Sequence, residues 1–287
     1  MPENSSHLKY KRQQFLLAII NELRHGVTTT NLHKLVFLLS MQENLNFYEF
    51  VPYKYGAYSF QLTQDLDTLA RLGYISKEQR IKALKQSPIK ISYTIARQRG
   101  DQLIRRVYRE YPFYALNSEI VERLFCNEEL IFFKNQRSCY FRTEKTLFTI
   151  GYEGRTIEAF VNILLKNDVR LLCDVRKNPI SRKFGFSKGN LSHIIKSVGI
   201  DYIHLPELGI DSKKRILLKS QEDFKNLFDE YAAGLSQSQD VLNLLASLLS
   251  AKIRIALMCF EKEASMCHRH IVADYLADTY EIRNVNL

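Results

Sequence analysis

The chain has 287 residues, 46% of them hydrophobic, and a formal net charge of +10 from 41 Lys+Arg against 31 Asp+Glu. At roughly 100–200 residues per domain this length suits two domains better than one, and no apolar run approaches the roughly 18 residues of a membrane span. The polar start Met-Pro-Glu-Asn-Ser-Ser reads as no signal peptide, and five cysteines in no framework spacing exclude a disulfide scaffold, so a cytoplasmic protein with reduced thiols and no membrane partner is expected.

Residues 1–145 carry 22 Lys+Arg against 14 Asp+Glu, a surplus of +8, while residues 146–287 carry 19 against 17, a surplus of +2. A basic half beside a near-neutral half suits a nucleic-acid-binding module, DNA in particular, joined to a catalytic or ligand-binding domain. From Tyr10 to Arg24, Phe15, Leu16, Ile19, Ile20 and Leu23 recur at helical spacing, and Leu32 to Gln42 forms a second helix after caps at Thr28–Asn31. An aromatic, turn-rich loop over Phe50–Ser59 precedes a third helix, Phe60 to Leu72, and Ile89 to Ile95 alternates as a short strand would. Three helices and a small wing predict a winged-helix, mostly α domain over residues 1–96. Arg71, Lys77, Arg80, Lys82 and Lys85 offer a basic rim near the third helix.

Lys34-Leu35-Val-Phe-Leu38 and Tyr55-Gly56-Ala57-Tyr58-Ser59 resemble the winged-helix, Panacea-like modules, with Ala57 where those modules carry proline. The resemblance covers about residues 10–80 and implies binding of nucleic acid or of a protein partner. Residues 97–144 read as a basic helical connector in which Arg99, Arg105, Arg106 and Arg109 interleave with Tyr108, Tyr111 and Tyr114. Such a pattern can engage phosphates and stack on bases, or can pack its aromatics on a core.

From residue 145 strands alternate with helices. Strands are expected at Thr146–Ile150, Val169–Asp174, Asp201–His204 and Ile253–Met258, and helices at Ile157–Lys166, Asn190–Val198, Glu222–Ala233, Val241–Leu249 and Cys267–Tyr280. This rhythm predicts an α/β domain over 145–287, Rossmann-like, with a mainly parallel sheet covered on both faces. Polar groups follow four strand exits: Gly151-Tyr152-Glu153-Gly154-Arg155; Cys173-Asp174-Val-Arg176-Lys177 through Ser181-Arg182; His204-Leu-Pro206-Glu207-Leu208-Gly209; and Cys259-Phe-Glu261 through Cys267-His268-Arg269. In a parallel sheet the exits share one edge, the edge where ligands bind.

Thr149-Ile-Gly-Tyr-Glu-Gly154, Asp174-Val-Arg176…Pro179-Ile-Ser181, Tyr202-Ile-His-Leu205…Leu208-Gly209 and Cys259…Glu261…Cys267-His268-Arg269 resemble the DUF488 family in order and spacing, from about Thr146 to Leu276. One departure is the single glycine after Leu208, where many relatives carry two. The family's function is undetermined, so the resemblance implies site positions rather than a reaction.

Asp174 and Glu261 are candidates for acid–base work, Arg176 and Arg269 for holding an anionic group, Tyr152 and Tyr202 for stacking a base, and Glu153 and Ser181 for further substrate contacts. Cys267 beside His268 admits a low-pKa thiolate nucleophile. Cys259, Cys267 and His268, with Cys173 or His270 added, admit zinc, although Cys-x7-Cys-His is not the spacing of a closed zinc site. Small buried thiols that only pack are a third reading. The expectation that follows is an enzyme hydrolysing a base or nucleotide of nucleic acid held by the basic half. A DNA-binding regulator that senses a small anion and a metal- or thiol-dependent redox protein remain open beside it.

Overall fold

The structure, a computed structural model, describes residues 8–211, 214 and 220–287; the polar start Met1–Ser6 lies outside them. Two compact units divide the chain, residues 1–138 and 139–287.

In the first unit, α1 (Lys11–Glu22) buries Phe15, Leu16, Leu17, Ile19 and Ile20, so the apolar stripe read in the sequence is the stripe that faces the core. Helix α2 (Thr29–Gln42) starts where the Thr28 side chain accepts from the Asn31 N–H, and α3 (Phe60–Arg71) where Ser59 accepts from the Leu62 N–H. The aromatic loop between them is a hairpin, β1 (Val51–Tyr53) with β2 (Gly56–Tyr58). A second hairpin, β3 (Ile75–Lys77) with β4 (Ile81–Ala83), follows α3.

The strand expected at Ile89–Ile95 does not form. Ile89, Ile91, Tyr93 and Ile95 still pack on the core at every second residue, but no neighbouring backbone pairs with them in a ladder. Alternation places side chains; a strand also needs a partner. The stretch read as a connector contributes α4 (Gly100–Glu110), which buries Leu103, Ile104, Val107 and Tyr108 in the core shared with α1–α3. Two short helices, α5 (Val121–Leu124) and α6 (Asn127–Ser138), complete the unit.

The tyrosines of that stretch face inward. Tyr108 is buried and donates to Ser118 Oγ at 2.8 Å, while Tyr111 and Tyr114 meet Phe37 edge-on. Arg106 and Arg109 pair with Glu110 and Glu129. The interleaved pattern is therefore a packed helix with a charge-paired outer face. Of the basic rim near α3, Lys77 pairs with Asp67 and Arg80 donates to the Gly26 carbonyl.

The second unit is a five-stranded, wholly parallel sheet built from β5 (Thr146–Gly151), β6 (Leu171–Asp174), β7 (Asp201–His204), β8 (Arg254–Cys259) and β9 (Arg283–Asn286) in the order β7-β6-β8-β5-β9. Every residue of β5 and β8 is buried, as mostly apolar strands covered on both faces should be, and Thr146, Thr149 and Arg254 are buried with the rest. The edge strand β9 went unread because Arg-Asn-Val-Asn has neither an apolar run nor alternation; its pairing with β5, Thr146 opposite Arg283, defines it.

Helices α7 (Ile157–Lys166) and α8 (Lys188–Ser197) follow β5 and β6, where the chain steps towards β7. After β7 come α9 (Gln221–Gly234) and α10 (Gln239–Lys252), then α11 (Arg269–Tyr280) after β8, as the chain steps back towards β9. Right-handed crossovers put α7 and α8 on one face and α10 and α11 on the other. On the second face Leu242, Leu245 and Leu249 of α10 and Val272, Ala273 and Leu276 of α11 pack with Leu171, Cys173, Ile255, Leu257 and Cys259 of the sheet. The connections after β5 and β6 thus leave one face and that after β8 leaves the other, which opens a crevice at the carboxyl ends of these three adjacent strands.

Candidate functional site at the sheet edge

A cleft of about 450 Å³ occupies this crevice, and its lining includes Tyr152, Arg176, Ser181, Cys259, Glu261 and His268. Three strand exits meet there because glycine lets them. A Cβ on Gly151 would fall 1.8 Å from the Glu261 carbonyl oxygen, so only glycine permits the loop after β8 to cross the end of β5. The Tyr152 and Glu153 N–H groups then donate to the Phe260 carbonyl at 3.1 and 2.9 Å, and Glu153 Oε2 accepts from the Lys262 N–H at 3.0 Å. Glu153, expected to contact substrate, clasps this loop instead. Gly209, the single glycine of the third exit, sits where a Cβ would lie 2.2 Å from the Lys177 nitrogen, which seats that loop against the second.

Asp174 is fully buried at the end of β6, and Arg176 beside it is 6% exposed. The pair is bidentate: Arg176 Nε donates to Asp174 Oδ1 at 2.8 Å and Nη2 to Oδ2 at 2.6 Å. Tyr202 donates to Oδ2 at 2.7 Å, the Arg176 N–H to Oδ1 at 3.2 Å, and Arg176 Nη1 to the Phe186 carbonyl at 2.9 Å and Tyr152 Oη at 3.2 Å. Burial alone would lower the Arg176 pKa, but the hydrogen bonds and charge of Asp174 outweigh it and raise it. Burial first, then the Asp174 charge, raises the Tyr202 hydroxyl, which stays protonated as the donor. Both Asp174 oxygens are committed, so the geometry makes Asp174 the holder of Arg176 rather than a proton carrier, and Tyr202 the holder of Asp174 rather than a stacking surface.

Arg269 is also redirected. It is 1% exposed, and its Nη1 and Nη2 donate to the Glu261 and Lys262 carbonyls at 2.6 and 3.0 Å. The fork that matched an anion in sequence terms clasps the backbone of the loop carrying Glu261. Ser181 remains on the cleft wall, its Oγ accepting from the Lys183 N–H at 3.1 Å. Lys183 is spent on the Tyr152 carbonyl at 3.0 Å, leaving the exposed Lys177 and Arg182 as the cations of the rim.

Tyr152 stacks on Phe186 at 4.3 Å between ring centroids and meets Phe260 edge-on at 5.2 Å. Phe260 is 44% and Ile180 78% exposed at the mouth, an apolar lip on a charged cleft. Phe186, Phe260 and Ile180 carried no signal in the sequence beyond lying near the exits. His204 did stand in the third exit: its Nε2 donates to the Arg176 carbonyl at 2.9 Å while Nδ1 meets Lys188 Nζ at 3.0 Å.

The thiols separate into two kinds. Cys173 is buried within β6 away from any cluster, and burial, then the Asp174 charge, raises its pKa. Cys259, Cys267 and His268, all buried, bring their ligand atoms within 4.8 Å of one another, the one such group of three among the described residues. His270 turns aside and donates from Nδ1 to the Cys267 carbonyl at 2.6 Å. Burial, then the neighbouring Cys259 thiol, pushes the Cys267 thiol up to about 12, and Cys267 is 0% exposed, so the expectation of an accessible, low-pKa nucleophile is not met.

A parallel α/β domain with a polar cleft at the carboxyl edge of its sheet is the class these observations define. Within it, residues 156–276 match the family described as Domain of unknown function DUF488. The match begins after the first exit, yet β5 and Tyr152 belong to the same sheet and cleft. No curated protein and no solved structure matches the chain. No helix among the described residues is long and apolar enough to cross a membrane.

Proposed function

We propose that the protein is an enzyme that processes nucleic acid, hydrolysing a bond of a base or nucleotide in the cleft at the sheet edge. The observation that carries this reading is the meeting of a cationic rim, an aromatic wall and Glu261 in one cleft. Lys177 and Arg182 suit a phosphate, the exposed ring of Phe260, backed by Tyr152, suits the flat face of a base, and Glu261 is the second carboxylate of the cleft, suited to proton transfer. Arg176, its charge balanced by Asp174, is a fixed part of the wall, and the positive field for developing negative charge comes from Lys177 and Arg182. A base in a duplex would have to be unpaired or flipped out to enter.

The first unit would hold the nucleic acid. Its basic surplus and its three helices followed by the β3–β4 hairpin support a winged-helix module, DNA being the favoured partner.

Single-turnover reactions of the full chain on unpaired and duplex DNA with normal and modified bases test the reading, scored for altered or released base and for strand breaks. Glu261→Gln should lower the rate by about 10²–10⁴-fold while binding and fold survive. If wild type alters no nucleic acid yet binds it equally well with Glu261→Gln, a DNA-binding regulator that senses a small anion replaces the enzyme.

A further inference from the structure

The cluster of Cys259, Cys267 and His268 can be weighed as packing or as a ligand set, and three observations decide. The His268 ring is fixed: its Nε2 faces the Val175 carbonyl at 3.1 Å and must donate to it, so in the neutral ring the lone pair is on Nδ1, 3.9 Å from Cys267 Sγ. A backbone carbonyl that holds one ring nitrogen so that the other faces a soft donor is the outer-shell arrangement of metal-binding histidines. Two sulfurs and one imidazole nitrogen form a donor set suited to zinc, around which tetrahedral donors stand about 3.6–3.8 Å apart. A cluster within 4.8 Å needs only a contraction of about 1 Å to reach that spacing. Finally, Cys259 and His268 line the cleft together with Glu261, whereas Cys173, equally buried, belongs to no such group.

We propose that Cys259 Sγ, Cys267 Sγ and His268 Nδ1 bind one zinc ion whose fourth position opens on the cleft. Three protein ligands and an open position are the arrangement of catalytic rather than structural zinc. Metal binding stands on this geometry alone; its use rests on the hydrolytic reading above. In that use zinc-bound water gives a proton to Glu261, the resulting hydroxide attacks the electrophilic carbon of the substrate, and the bond to the leaving group breaks with its electron pair. Glu261 passes the proton to the leaving group, so one water is consumed and no oxidant or reductant is needed.

The test uses untagged full-length protein purified from zinc-supplied cells, with elemental analysis and replacement by cobalt. About one zinc per chain is expected, and the cobalt form should show thiolate-to-metal charge transfer and the visible bands of tetrahedral cobalt. Cys259→Ser and His268→Ala should each lose metal, while Cys173→Ser keeps it. The cobalt spectrum of wild type keeps the proposal testable even if a variant fails to fold. Metal at background with no thiolate band, or a folded Cys259→Ser that retains both, overturns the site. Stoichiometric zinc in a protein that hydrolyses nothing upholds the site and removes the enzymatic reading. Zinc whose removal by chelator leaves hydrolysis unchanged overturns the water-activating role.

Discussion

Each unit buries an aspartate gripped by an arginine and a tyrosine, and the two differ in what the arginine faces. In the first unit Asp65 accepts from Arg12 Nε at 2.6 Å, Gln13 Nε2 at 2.8 Å and Tyr48 Oη at 3.0 Å, and ties α1 to α3. In the second, Asp174 accepts from Arg176 and Tyr202, and Arg176 forms part of a cleft wall. The Arg12 side chain is 30% exposed and that of Arg176 only 6%. A buried Arg–Asp–Tyr group is thus no functional mark by itself; the sheet edge at which crossovers part gives the second one something to act on.

The contrast should be largest in stability. Asp174→Asn leaves the Arg176 charge inside the protein and should cost about 3–5 kcal/mol by urea denaturation of the full chain, whereas Asp65→Asn, whose arginine reaches water, should cost less. Equal losses would break the comparison. Gly151→Ala tests whether the second network depends on loops crossing a strand end: with a Cβ 1.8 Å from a backbone oxygen, about 1–3 kcal/mol and a displaced Glu261 are expected, read by denaturation and single-turnover rate.

The first unit offers a pH test. Lys34 is 2% exposed and donates to the Ala57 carbonyl at 3.1 Å, and burial lowers its pKa from 10.5 to about 7. Between those values the unfolded chain binds the extra proton, so stability should rise with pH from about 7 towards 10, by up to about 1.4 kcal/mol per unit. Above that range burial raises the Tyr48 and Tyr108 hydroxyls, the unfolded chain loses its protons first, and stability should fall. Lys34→Met should flatten the rise; a slope that survives the change places the titrating group elsewhere. The smallest effect belongs to the exposed Arg123–Asp101 pair, where Arg123→Gln should shift stability by less than about 1 kcal/mol and lose even that in high salt.

What could be read before folding was whatever repeats along the chain. Helices α1–α3 and α7–α11 follow from apolar spacing and caps, and the buried strands β5 and β8 from short, mostly apolar runs. Parallel order pointed to a shared edge, so the neighbourhood of Asp174, Glu261 and Cys259–His268 was legible as a candidate site, while the close meeting of three exits there also needed Gly151. Which atom each side chain would spend on which partner was not, because a guanidinium satisfies a backbone carbonyl as readily as a ligand anion, and the carbonyl that meets Arg269 is brought there by a loop that only Gly151 lets pass. Likewise β9 exists because β5 presents an open edge to Arg283–Asn286, and Ile89–Ile95 remains irregular because no strand among the described residues pairs with it. Periodicity is a local property of the chain, whereas hydrogen-bond partners and strand neighbours arrive from distant residues, and in this protein they decided which candidates face the cleft and which hold it together.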